Sequence, residues 1–150
     1  MLSNYNTLLG ALEEINDTCK DEYGGKVGGF HSLMEKCSTF FGLKMAHLVF
    51  SASEQLSTTL EAKNTTAQDA YTAVNLANAF YERQRNSSAF QAFYQQVVKD
   101  AEGKTEPPTL HRYRKALRHA DDVSSGPTHR FNTPVDLFRQ QYYEVMESLS

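Results

Sequence analysis

The chain has 150 residues, 40 % of them hydrophobic, no tryptophan and a formal net charge of −3. That length suggests one domain, or a piece of one, with enough apolar side chain for a core. The charge argues against a wholly basic nucleic-acid binder. No apolar run follows Met1, where Asn4, Asn6 and Glu13 interrupt, so no signal peptide is read there. The least polar window, Phe40 to Ala52, falls short of the ~20 residues a bilayer span needs, and no membrane partner is expected.

In chain order, the spacing of Tyr5, Leu8, Leu9, Leu12, Ile15 and Cys19 predicts a first helix from about Ser3 to Cys19. Asp21 to Gly29 then holds four glycines, which reads as a helix stop and a loose linker. It is not a phosphate loop, because Lys26 is followed by Val27 and a helix, not a strand, precedes it. Phe30 to Lys63 organises the rest, as one long helix or two meeting at Gly42. Met45, Leu48, Val49, Ala52, Leu56 and Leu60 share one face, while Leu43, Ala46 and Phe50 form a second stripe. Unbroken from His31 to Ala62, this helix would be roughly 48 Å long.

Thr66 with Asp69 forms a capping-box pattern and opens a helix to about Arg85. Its stripe of Ala70, Val74, Ala77 and Tyr81, with Ala73, Leu76 and Phe80 beside it, suits close packing along the long helix. Ser87 or Ser88 is the expected N-cap of the next helix. Phe90, Phe93, Tyr94, Val97, Val98 and Ala101 make that helix strongly amphipathic, and Gly103 closes it. Thr133, Pro134 and Asp136 supply N-cap, first-turn proline and acidic N3 residue to a last helix. Val135, Phe138, Tyr142, Val145, Met146 and Leu149 form its apolar face.

No stretch alternates as a strand does, and no repeat is visible. The expected class is all-α: a long central helix with shorter amphipathic helices packed on it, five to six in all. An irregular basic loop precedes the last helix. The expected division is 1–103 as the helical domain, 104–132 as the Pro/Gly-bracketed loop, and 133–150 as the closing helix of the same domain.

Residues that could carry chemistry are few. Cys19 and Cys37 lack close spacing and read as reduced, buried side chains. Of the five histidines (His31, His47, His111, His119, His129) none pairs at i+3 or i+4. His47 reads as a packed core residue rather than a ligand. The adjacent Asp121 and Asp122 read as a solvated pair balancing nearby arginines. The N-x-[ST] triplets at Asn16, Asn64 and Asn86 read as chance matches. No cofactor and no metal site is expected. Arg112, Arg114, Lys115 and Arg118 place four fixed positive charges within His111–His119, with Tyr113 among them. They could neutralise phosphates while Tyr113 stacks on a base. The same run also reads as a nuclear-import cluster or as a solvated loop.

Four stretches carry a family resemblance through their order and spacing. They are SLMEKCSTFFGLKMAHLVFSASEQLSTTLEAKNTTAQDA, LANAFYERQRNSSAFQAFYQQV, TEPPTLHRYRKALRHADD and DLFRQQYYEVMESL. Together they resemble the hAT transposase family, in particular its domesticated members of the zinc finger MYM-type protein 1-like group. In that family a large α-helical insertion splits an RNase H-like catalytic core. The resemblance implies that this sequence corresponds to the insertion, cut from a longer protein. No residue here matches the family's catalytic acids, so the implied role is a non-catalytic scaffold with weak DNA contact through the basic run. An intracellular location is expected from the lack of a signal peptide or spanning window, and a nuclear one goes with the resemblance. The alternative is a self-associating protein-interaction module with no nucleic-acid role, held together through apolar helix faces.

Overall fold

The computed structural model describes residues 4–18, 22–110 and 131–149. Among them are six α-helices and no strand: α1 (Tyr5–Thr18), α2 (Glu22–Met34), α3 (Cys37–Glu61), α4 (Ala67–Gln84), α5 (Ser87–Ala101) and α6 (Pro134–Glu147). The all-α expectation holds, with α3 as the long central element.

The glycine-rich stretch departs from its expected role as a loose linker. It is helical, and α2 runs through all four glycines. Each helical glycine costs about 1 kcal/mol against alanine, so something beyond propensity must favour the helix. Gly24 is buried, and one turn on, a Cβ at Gly28 would sit 2.5 Å from the Asn16 side-chain oxygen of α1. Two glycines at i and i+4 line one stripe of the helix and let α1 and α2 approach closely.

The chain breaks at Glu35–Lys36, not at Gly42. Lys36 is extended, with φ −78° and ψ 131°. The Tyr5 hydroxyl donates to the Met34 carbonyl, and the Glu106 amide donates to the Glu35 carbonyl at 2.7 Å. These tertiary donors take acceptors that an unbroken helix would have used internally. Gly42 lies inside α3, and its Cβ position is open space.

Capping follows the expected chemistry at two of three sites. The Thr66–Asp69 capping box is complete, and the Thr133 side chain accepts from the Asp136 amide behind Pro134. Asn86, rather than Ser87 or Ser88, caps α5: its Oδ1 accepts from the Ala89 amide at 2.8 Å while its Nδ2 donates to the Arg83 carbonyl at 2.7 Å. An amide both accepts and donates, so one residue satisfies the end of α4 and the start of α5. Past α5, Gly103 adopts φ 71°, the left-handed conformation that favours glycine.

The core gathers at one end of the molecule. Cys37, Phe40, Phe41 and Met45 of α3 are buried against Phe90, Val97 and Ala101 of α5 and Phe138, Tyr142 and Met146 of α6. Tyr5 of α1 joins them edge-on to Phe40, with ring centroids 5.0 Å apart. Phe41 meets Phe138 at 4.5 Å, and Tyr142 meets both Phe90 and Phe93 at 5.4 Å. Such offset and edge contacts add roughly 0.5–1.5 kcal/mol each beyond area burial. Polar atoms at the core edge are matched: the Tyr142 hydroxyl donates to the Gln84 carbonyl at 2.9 Å, and the Arg85 Nη2 donates to the Met146 carbonyl at 3.0 Å.

The remainder is thinly covered. No residue from 46 to 89 is buried, although that span holds the second part of α3 and all of α4. These two helices form an antiparallel arm leading away from the aromatic core. The apolar faces read from the sequence are only half realised there: Leu48, Val49, Ala52 and Leu56 are half-buried, while Leu60 and Phe50 are exposed. His47, expected packed in the core or bonded at its edge, is exposed as well, because by that turn α3 is no longer covered all round. In α1, Leu8 and Ile15 are likewise exposed.

Candidate interaction surface

The basic run offered as a nucleic-acid site, Arg112, Tyr113, Arg114, Lys115 and Arg118, lies outside the described residues, as do Cys19, His111, His119, His129, Asp121 and Asp122. Among the described residues no group of three or more His, Cys, Asp or Glu side chains is placed to hold a metal ion. None of the described helices is long and apolar enough to cross a membrane.

Two polar features near the core have structural explanations. Asp100 of α5 receives Lys44 from α3 at 2.5 Å, while Gln96 donates to its other carboxylate oxygen at 2.7 Å. The hydrogen bond from Lys44 holds the Asp100 carboxyl below the usual carboxylate range. Lys104 donates to the Asp100 carbonyl, and the Lys44 and Lys104 ammonium groups lie 5.7 and 5.8 Å from the Phe40 ring centroid. This arrangement pins α3 to the end of α5 and covers one edge of the aromatic core. Cys37 is buried as expected, and burial pushes its thiol up, partly offset by a hydrogen bond with Thr105. A raised thiol pKa is that of an inert cysteine.

The surface that calls for explanation is on the arm. From Ala70 to Tyr81, α4 has no charged residue, with Asp69 before and Glu82 after. The helix has no buried residue either. A solvated helix puts charged or polar residues on its outer face, and here Thr72, Asn75 and Asn78 supply polarity without charge. Here Leu76 is 67 % exposed and Tyr71 64 % exposed, with Val74 also exposed. The matching stretch of α3, from Met45 to Ser53, likewise has no Asp, Glu, Lys or Arg.

The two helices are joined by few polar links. The Tyr81 hydroxyl donates to the Val49 carbonyl at 3.0 Å and lies 3.0 Å from the Ser53 hydroxyl. Along one flank they leave an open groove of about 210 Å³. Ala52 and Leu56 of α3 line it with Ala73, Leu76, Ala77 and Phe80 of α4. Its polar lining, Ser51, Gln55 and Thr59, is uncharged. A second apolar groove of about 300 Å³ runs between α3 and α6, with Phe41 and Met45 in its wall and the 68 %-exposed Phe50 among its lining residues.

Sequence reasoning assigned the alanines of α4 to packing along α3, and they do line that contact. It passed over the twelve-residue gap in charge, which is legible in the sequence and marks the surface. Comparison with protein families, with curated proteins and with solved structures found no match.

Proposed function

We propose that the chain is a non-catalytic helical scaffold that works by presenting helix faces to other macromolecules. The observation that carries this reading is α4, a helix with neither a buried residue nor a charge between Asp69 and Glu82. Its exposed side carries Tyr71, Val74 and Leu76 among the uncharged Thr72, Asn75 and Asn78, and exposed large apolar side chains gathered on one helix mark an interaction site. The scaffold role is also what the hAT-family resemblance implies for its helical insertion. On that reading the chain is a piece of a hAT-like, transposon-derived nuclear protein, and its chemistry resides elsewhere in the parent.

Incubation of the purified chain with supercoiled DNA and Mg²⁺ or Mn²⁺ tests the non-catalytic assignment. No nicking or strand transfer is expected. Metal-dependent cleavage that disappears when one acidic residue is replaced would overturn it.

Within the same proposal, Arg112, Arg114, Lys115 and Arg118 contact DNA phosphates and Tyr113 stacks on a base. Binding is then weak, indifferent to sequence and steeply lost between about 50 and 200 mM salt. Alanine at the four basic positions removes that salt-sensitive binding. Unchanged affinity in that variant would remove DNA from the account and leave the protein-interaction role.

A further inference from the structure

We propose that the break between α2 and α3 is a two-state joint latched by Tyr5 and Glu106. When both let go, residues 34–39 wind into the helix and α2 and α3 become one rod. From Glu22 to Glu61 that rod is roughly 60 Å long.

Nothing local in the chain calls for the break. No glycine and no proline lies between Gly29 and Gly42, and Met34, Glu35 and Lys36 are good helix formers. The other well-marked helices open on a capping side chain: Thr66, Asn86 and Thr133 each accept from a backbone amide. Lys36 stands at the same position of α3 and makes no side-chain cap bond. Nor does α2 close on a left-handed residue, since among the described residues only Gly103 has a positive φ.

The break is written instead in tertiary contacts. In a continuous helix the Met34 and Glu35 carbonyls accept from the Ser38 and Thr39 amides four residues on. Here the Tyr5 hydroxyl and the Glu106 amide take those carbonyls, and the Thr39 amide donates to the Lys36 carbonyl at 3.1 Å. Two helix bonds are thus exchanged for two tertiary ones of similar net worth. What tips the balance is the Tyr5 ring, buried edge-on against Phe40. A helix whose two arrangements differ by so few contacts is a bistable element.

The part that swings is the α1–α2 hairpin. Tyr5 is the one buried side chain that α1 gives the core, and α2 gives none among its described residues. Leu9 and Met34 are only half-buried against the same cluster. Within the hairpin, Gly28 lies so close to Asn16 that a Cβ would sit 2.5 Å from its side-chain oxygen. The two helices therefore move together, and straightening the joint carries Tyr5 away from Phe40.

Backbone 13Cα shifts of the full chain test this. In the unaltered protein Lys36 should show an extended shift between two helical stretches. Tyr5→Ala removes ring and hydroxyl together and should turn Lys36 helical, giving unbroken helical shifts from Phe30 to Met45. Glu106→Pro removes the other donor without touching a core side chain and should move the Lys36 shift the same way, by less. An extended Lys36 in both variants would overturn the proposal. So would loss of helical shifts over residues 22–34, which means that the hairpin melts instead of fusing. If Tyr5→Ala unfolds the whole chain, Glu106→Pro decides, and a Lys36 shift unmoved there overturns the joint as well. None of those results touches the non-catalytic assignment, which only the cleavage assay decides.

Discussion

The two parts of α3 are built from similar residues and meet opposite fates. Between Cys37 and Met45 four side chains are buried; from Ala46 to Glu61 none is. Yet the later part still carries Leu48, Val49, Phe50, Leu56 and Leu60. The difference lies in the neighbours. The first part meets aromatic rings from α5 and α6, whereas the second leaves α6 behind after Val49 and Phe50 and then runs beside α4, which lines the contact with Ala73 and Ala77. Burial here follows the number of helices that converge on a turn, and much less the hydrophobicity of the turn itself.

Paired truncations give the sharpest contrast. Phe90 is 1 % exposed at the centre of the ring cluster, so Phe90→Ala should cost about 3–5 kcal/mol in urea or guanidinium unfolding. Leu76→Ala, at a side chain 67 % exposed, should stay within about 0.5 kcal/mol. Equal losses at the two sites would erase the distinction between core and arm.

Alkaline pH should act on the core alone. Burial, and then the neighbouring Tyr143, push the Tyr142 phenol up to about 12. An unfolded tyrosine ionises near pH 10. The folded state thus keeps a proton that the unfolded chain releases, and stability is present in full below about pH 10. It is lost as pH rises towards about 12, by an amount on the order of 2–3 kcal/mol. Tyr142→Phe should flatten that part of the pH profile, and an unchanged profile would place the loss elsewhere.

The smallest expected effect concerns helical glycines. Gly42→Ala meets open space inside α3 and should stabilise by about 0.5–1 kcal/mol in thermal unfolding. Gly28→Ala presses on the Asn16 side chain and should gain less or lose. Should both variants gain equally, close approach is not what keeps Gly28 a glycine.

Local signals in the chain were readable in proportion to how local their physics is. The Thr66–Asp69 box, the Thr133–Pro134 start, the α5 stripe and the Gly103 stop each depend on residues a few positions apart, and each is realised. The break at Glu35–Lys36 was not readable, because it depends on donors from Tyr5 and Glu106, 29 residues before Met34 and far down the chain from Glu35. The helical glycines of α2 failed for the same reason, since their partner is α1. At Asn86 the missed signal was the two-sided amide, which serves two helices where a serine hydroxyl was expected to serve one. The arm surface was legible as a gap in charge, but its exposure was not, because α4 could as well have been covered by a further helix. Arg112, Tyr113, Arg114, Lys115 and Arg118 remain a reading of the sequence.

Native-state hydrogen exchange of the dilute chain tests the division between core and arm most directly. Amides of residues 40–45, 90–101 and 138–146 should exchange only through global unfolding, with one shared free energy. Those of residues 50–61 and 70–81 should open at a distinctly lower free energy. A single uniform protection across both sets would contradict the account, since it would mean that the arm is held as firmly as the aromatic core.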